Sequence, residues 1–293
     1  MTTVTGAPDD KKMPLLDHLI ELRQRLLYSV VTLLVVFLVC FYFAQPIFQY
    51  LAQPLADVML EHGIAEHQRR LIFTALTEVF FTYVKVAFFA AAFICFPIFL
   101  VQFWLFVAPG LYKHEKAALA PFLAATPFLF FIGGALVYYV IFPFAAEFFI
   151  AFEVPETETS LPIQLEPKVN EYLSLMMQLI FAFGLCFQLP VIMTLLARVG
   201  LATSKGMAAK RKYAIVAVFI VAAIFTPPDP ISQLSLAVPI VILYEISILM
   251  ARMVEKKRAA EAAEDDLDFG DDDDFGDDAD EDSPSDGGTP AKT

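Results

Sequence analysis

Two carboxylates stand where they could bind a cation. Glu115 lies in the polar island Ala108–Lys116 (APGLYKHEK), between Lys113 and Lys116, and long apolar runs flank the island on both sides. Glu21 lies in the segment HLIELRQR, His18–Arg25, beside Arg23 and Arg25. A carboxylate offers two oxygens, and a guanidinium can take both at once. Surface pairs of this kind are individually weak, so a cationic partner has to be held by several contacts together. A plainer reading stays open beside this one. Glu21 can pair with its own Arg25 one helical turn away, and Glu115 with Lys116 or a lipid headgroup.

Catalytic chemistry has little to work with. His18 with Glu21 and His114 with Glu115 have no plausible nucleophile nearby in sequence. There is no phosphate-cradling glycine loop, no H-E-x-x-H and no G-x-S-x-G. Cys40, Cys95 and Cys186 all lie in apolar runs, without paired spacing or a neighbouring His, which gives neither a metal site nor a disulfide framework. The sequence therefore predicts no enzyme, no metal, no cofactor and no nucleic-acid partner.

The elements that position the carboxylates are membrane helices. The chain of 293 residues is 58% hydrophobic and holds 30 Phe, against an apolar content of about 45–50% in soluble domains. Apolar runs of about 18 residues or more predict an all-α integral membrane protein. Leu15, Leu19, Leu22 and Leu26 recur at helical spacing, with Asp17, Glu21 and Gln24 elsewhere, and predict an interfacial amphipathic helix ahead of the first span. Six spans are expected near 26–44, 78–107, 117–146, 172–197, 213–226 and 234–251. The first connection, with FAQPIFQYLAQPL, reads as a short helical cap. Pro97, Pro121, Pro127, Pro143, Pro190 and Pro239 predict bends that suit a curved wall. The domain plan is an N-terminal amphipathic segment at 1–25, a six-span body at 26–255 and a disordered acidic tail at 256–293.

The net charge of −13 belongs to that tail: residues 261–293 hold 15 acids against one Lys, whereas residues 1–260 hold 18 acids and 19 bases. Basic residues orient the spans. With a cytoplasmic N-terminus, 15 Lys and Arg fall in the inside segments, and only Arg69, Arg70 and Lys168 fall outside. That asymmetry predicts cytoplasmic termini at both ends and an even span count.

Ionisable and amide groups at membrane depth each need a reason. Glu78 and Lys85 are seven residues apart, on one face, and are expected to snorkel or pair with each other. Glu245 is expected to be hydrogen-bonded between helices or to serve a partner or a proton. Gln102 and Gln188 are expected to bond across helices or to a partner span. Glu245, Gln233 and the Met207–Tyr213 segment are assigned to helper-subunit contacts.

Seven motifs in order carry a family resemblance: HLIELRQR (18–25), AQPL (52–55), TEVFFTYVK (77–85), FVAPGLYKHEK (106–116), FGLCFQLP (183–190), KRKYA (210–214) and FTPPDPISQ (225–233). Over about residues 13–255 the chain resembles TatC, the Sec-independent (twin-arginine) translocase subunit. The resemblance implies a six-span, cup-shaped receptor in the bacterial cytoplasmic (inner) membrane. It implies binding of the twin-arginine signal peptides of folded proteins, single-span TatA and TatB partners, assembly within a Tat complex as a homo-oligomer, and transport driven by the proton-motive force. Glu21 and Glu115 match the family's signal-peptide contacts; Arg23, Phe106, Leu111, Tyr112 and His114 share those motifs. Pro54 and Asp229 fall in the outer-loop motifs. Where many members carry glutamate in span four (F-E-x-P), this chain has Gln188, which keeps hydrogen bonding but no charge. The rival reading is a proton-coupled small-solute transporter with Glu78, Lys85, Glu147 and Glu245 as a buried relay; it requires a continuous polar path at mid-depth.

Overall fold

The computed structural model describes residues 15–64, 69–107, 113–154, 164–226 and 230–268. Within them the chain is all-α. The first helix, α1, runs unbroken over Leu15–Tyr42. The amphipathic lead and the first span are thus one rod rather than two pieces, because no Gly or Pro interrupts 15–42. The expected cap is α2, Ala44–Glu61. Its Leu51, Leu55, Val58 and Met59 are buried at helical spacing, with Pro54 among them. Next comes α3, Glu78–Val107, which packs along α1 and under α2.

The third apolar run divides into α4 (Lys113–Leu136), one π-helical turn (Val137–Ile141) and α5 (Phe142–Ile150). Pro143 sits in the first turn of α5, where its missing N–H disturbs the preceding ladder. The π turn brings two successive tyrosines to α2. Tyr138 Oη donates to the Tyr50 carbonyl at 2.8 Å, and the Tyr139 and Tyr50 hydroxyls lie 3.3 Å apart.

The fourth run also breaks, into α6 (Val169–Cys186) and α7 (Leu189–Arg198), with Pro190 starting the second piece. The helix α4 packs closely on α6. A Cβ on Gly133 would lie 2.8 Å from the Phe183 carbonyl oxygen, and one on Gly184 would lie 2.6 Å from the Phe130 ring. Only glycine allows this approach. Gly200, at φ 82°, closes α7, with the Leu201 N–H reaching back to the Leu196 carbonyl at 2.9 Å.

The last described helices are α8 (Ser204–Ala209), α9 (Arg211–Phe225) and α10 (Pro230–Asp268). Three links hold α7 and α8 onto α10. Glu255 accepts from the Ser204 N–H at 2.7 Å, Tyr244 Oη donates to the Met207 carbonyl at 3.0 Å, and Arg258 donates to the Arg198 carbonyl at 3.2 Å. The first 13 residues assigned to the disordered tail, 256–268, are therefore helical. Residues 254–264 (VEKKRAAEAAE) are rich in Ala, Glu and Lys, so the helix continues after the apolar run stops.

Among the described residues, five stretches are long and apolar enough to cross a membrane: Leu19–Tyr42, Glu78–Phe103, Ala124–Ile150, Val169–Arg198 and Ser232–Ala260. The sixth expected span is α9, with 15 residues. It reaches about 22 Å, short of a hydrocarbon core of about 30 Å.

Candidate functional site

Glu21 and Arg25 share one face of α1 and are paired. Arg25 Nε lies 3.0 Å from Glu21 Oε1, and a second guanidinium nitrogen converges on the same oxygen. The other arm of Arg25 reaches α3, where it meets Gln102 Oε1 at 3.4 Å. Both members of the ion pair are largely covered, at 24% and 22% exposed for Arg25 and Glu21. Arg25 is thus a bridge between helices as well as the local partner of Glu21, so the plainer pairing read from the sequence is formed. It uses one carboxylate oxygen: Glu21 Oε2 accepts no hydrogen bond among the described residues.

Below this polar end runs a groove of about 330 Å³ between α1 and α3. Leu22, Leu26, Val30 and Leu33 form one wall, and Phe99, Phe103 and Phe106 the other. Arg23 is exposed on the same stretch of α1. Glu115 and His114 lie in the first turn of α4, where a helix N-terminus favours a carboxylate; the side chains of 113–123 lie outside the described residues, as do Leu111, Tyr112 and Asp229. Arg25 and Gln102 line the polar end of this trough, and the partly used Glu21 carboxylate sits on Arg25 beside it, an arrangement that suits a cationic group followed by an apolar segment.

The comparisons with known proteins agree on one family. The family model described as "Sec-independent protein translocase protein (TatC)" matches residues 17–239. The chain is 48% identical over 257 residues to the TatC protein of Magnetococcus marinus, covering 88% of this chain and 90% of the relative. It is 40% identical over 242 residues to that of Rickettsia prowazekii, covering 83% and 94%. A crystal structure of a twin arginine translocase receptor TatC superposes with a TM-score of 0.68 at 34% identity, covering 81% of this chain and 99% of that one. The chain belongs to the TatC family. Members of this family are protein translocase components, so the chain is a multi-pass membrane transport protein and not an enzyme.

The remaining residues singled out in the sequence fall into two groups. Gln188 is buried, at 5% exposed, in the break between α6 and α7. Its Nε2 donates to the Thr126 carbonyl at 3.1 Å and to the Gly184 carbonyl at 3.4 Å, while its Oε1 is buried without a partner. Gln233 donates to the Phe219 carbonyl at 3.2 Å, joining α10 to α9. Glu245 pairs with Arg211 at 2.7 Å across the same two helices, half-exposed. Tyr213 is exposed on α9 with Lys212 over its ring. Met207 corrects the expectation of a helper contact for its side chain. It is 4% exposed and packed against Ala197, Ile248 and Ala251 of its own chain.

The polar relay of the transporter reading is not assembled. Glu78 turns back to the Thr74 and Ala75 amides rather than to Lys85, and Lys85 donates to Asn170 Oδ1 at 2.7 Å. Glu147 is exposed on α5, and Glu245 is engaged with Arg211. Among the described residues no group of three His, Cys, Asp or Glu could hold a metal ion. Sequence reasoning missed the Glu255–Ser204 link and the three-tyrosine contact under α2, since both join residues more than 50 positions apart.

Proposed function

We propose that this chain is the receptor subunit of a twin-arginine translocase. It binds the signal peptides of folded proteins at the cytoplasmic face and organises single-span TatA and TatB partners for export driven by the proton-motive force. The observation that carries the reading is the Glu21–Arg25–Gln102 arrangement at the polar end of the α1–α3 groove. An arriving guanidinium meets the open Oε2, and the apolar segment behind it lies along Leu22, Leu26, Phe103 and Phe106. Glu115 supplies the second carboxylate, with His114, Leu111, Tyr112 and Arg23 around it. Gln188, Gln233, Glu245 and Tyr213 are the polar positions offered to partner helices, and several copies of the chain assemble in the complex.

The same reading places six crossings in the bacterial inner membrane with both termini cytoplasmic. The basic start of α9 (Lys210, Arg211, Lys212) and the basic stretch of α10 (Arg252, Lys256, Lys257, Arg258) support it, since the Arg211–Glu245 contact sets α9 beside α10 near these segments.

The test is photocrosslinking from positions 21 and 115 to a twin-arginine peptide and to its Lys-Lys version. Crosslinks at both positions that fall with Lys-Lys are expected. Glu21→Gln and Glu115→Gln are each expected to weaken peptide binding about tenfold or more, the value of one hydrogen bond to a charged group. Normal binding by both variants, in protein that still reaches the membrane, would end the two-carboxylate reading.

A further inference from the structure

Arg69, Arg70 and Lys168 lie together at the end of the bundle built from the α2–α3 and α5–α6 connections. Two of them have acidic partners. Arg70 pairs with Glu166 at 2.8 Å, and Lys168 lies 3.4 Å from Glu171. Arg69 differs. Its Nε is buried and has no hydrogen-bond acceptor among the described residues. The backbone beside it is pinned: Ile72 N–H donates to the Pro167 carbonyl at 3.1 Å, and Val169 N–H donates to the Ile72 carbonyl at 2.9 Å. These bonds fix the backbone three residues along from Arg69.

Arginine does not shed its charge on burial, and a buried donor without an acceptor carries its full desolvation penalty. A groove ligand can meet this guanidinium only through its terminal nitrogens, since Nε is closed off, and the group they bind most strongly is an anion. The surroundings say what kind. Arg69 and Arg70 line a groove of about 400 Å³ whose other walls include Phe48, Leu55, Ala56 and Met59 of α2, with Phe73 and Val79. That volume is in the range of small-molecule sites, about 300–1,000 Å³. A small free anion would satisfy the arginine and leave the apolar walls unfilled. A ligand with an anionic head and a hydrocarbon chain fits both, and the bilayer around the five long apolar helices supplies one.

We infer that this groove binds one membrane phospholipid, its phosphate on Arg69 and an acyl chain along Phe48, Leu55 and Phe73. Guanidinium and phosphate match in planar, two-pronged geometry. The bound lipid joins α2 to the 69–73 segment and, through the Ile72 backbone, to the start of α6. It holds the cap helix in position from the lipid side. The site lies apart from the α1–α3 groove and needs nothing from the signal-peptide reading.

The experiment uses the full-length protein, stripped of lipid by extended detergent exchange and observed by native mass spectrometry. Three probes are added separately: dioleoylphosphatidylglycerol, dioleoylglycerol with the same chains and no phosphate, and inorganic phosphate. One retained dioleoylphosphatidylglycerol is expected, with dioleoylglycerol retained far less and inorganic phosphate failing to displace the lipid. Arg69→Gln should lower retention about tenfold, as expected for loss of one charge-assisted bond. Ala56→Trp fills the groove from an exposed position of α2 and leaves the guanidinium intact; it should lower retention while the melting temperature stays near that of the wild type. Equal retention of both lipids, displacement by inorganic phosphate alone, or wild-type retention in Arg69→Gln would each overturn the site. If Arg69→Gln does not fold, Ala56→Trp decides, and unchanged retention there overturns it.

Discussion

Gln188 shows how a residue's type announces the need for a partner while the fold supplies the atoms. Its position in an apolar run marks it as a group needing a partner, across helices or on a partner span. The partners it has are two carbonyls of its own chain, one of them across on α4. The Gln188 N–H turns to Leu185 at 2.9 Å, and the side-chain Nε2 reaches Gly184 and, across to α4, Thr126. Two carbonyls require a donor, so the amide nitrogen is the atom that matters for stability. The free Oε1 is what remains to offer a partner. Gln188→Glu presents a carboxylate oxygen to those same carbonyls. It is expected to lower stability at neutral pH by about 1–3 kcal/mol, the cost of unmet buried polar groups. Thermal unfolding in detergent, compared with wild type, measures it. A variant as stable as wild type would mean that the Thr126 contact does not hold α4. Glu21 is the opposite case: the four-residue spacing to Arg25 made the pairing legible, and only the third partner, Gln102, needed the fold.

At the scale of elements, hydropathy located the membrane runs and missed how they are divided. It reports where lipid is favourable, and backbone continuity is decided by other residues. Pro143 and Pro190 split two runs into α4–π–α5 and α6–α7, whereas Pro97 and Pro239 lie inside α3 and α10. The lead at 15–25 merged with the first span for want of any breaker. The acidic end of α10 stayed helical because propensity outlasts hydrophobicity. The contact between α4 and α6 was also hidden, since a glycine in an apolar run announces nothing about which backbone approaches it. Gly133 provides the test. A methyl group there meets the Phe183 carbonyl oxygen, part of the backbone, so neither helix yields by a side-chain rotation. Gly133→Ala is expected to destabilise by about 1–3 kcal/mol, the usual cost of overpacking. In contrast, a Cβ at Gly63 meets nothing within 4 Å, and there only the φ of 71° disfavours a side chain. Comparable melting temperatures for wild type and Gly133→Ala would remove the close α4–α6 approach.

The whole molecule turns on whether α9 crosses. Among the described residues five stretches are long enough without argument, and an odd number of crossings would place the two termini on opposite sides of the membrane. The proposed placement on the same side rests on charge asymmetry, and the count of 15 bases against three assumes that α9 and α10 form a transmembrane hairpin. A 15-residue helix can still cross if the bilayer thins and if flanking residues extend its reach. The start of α9 has such residues in Arg211, Lys212 and Tyr213, which place long cationic and aromatic side chains at one boundary. Single cysteines in a background lacking Cys40, Cys95 and Cys186 separate the two topologies. With six crossings, Glu61→Cys and Asp229→Cys react with an impermeant maleimide applied to intact spheroplasts, while Lys210→Cys and Ala260→Cys react only after permeabilisation. With five crossings and α9 left at the inner surface, Asp229→Cys becomes protected and Ala260→Cys becomes reactive. The second pattern would also export the acidic tail and remove the argument that the bases of α10 lie on the same side as Glu21.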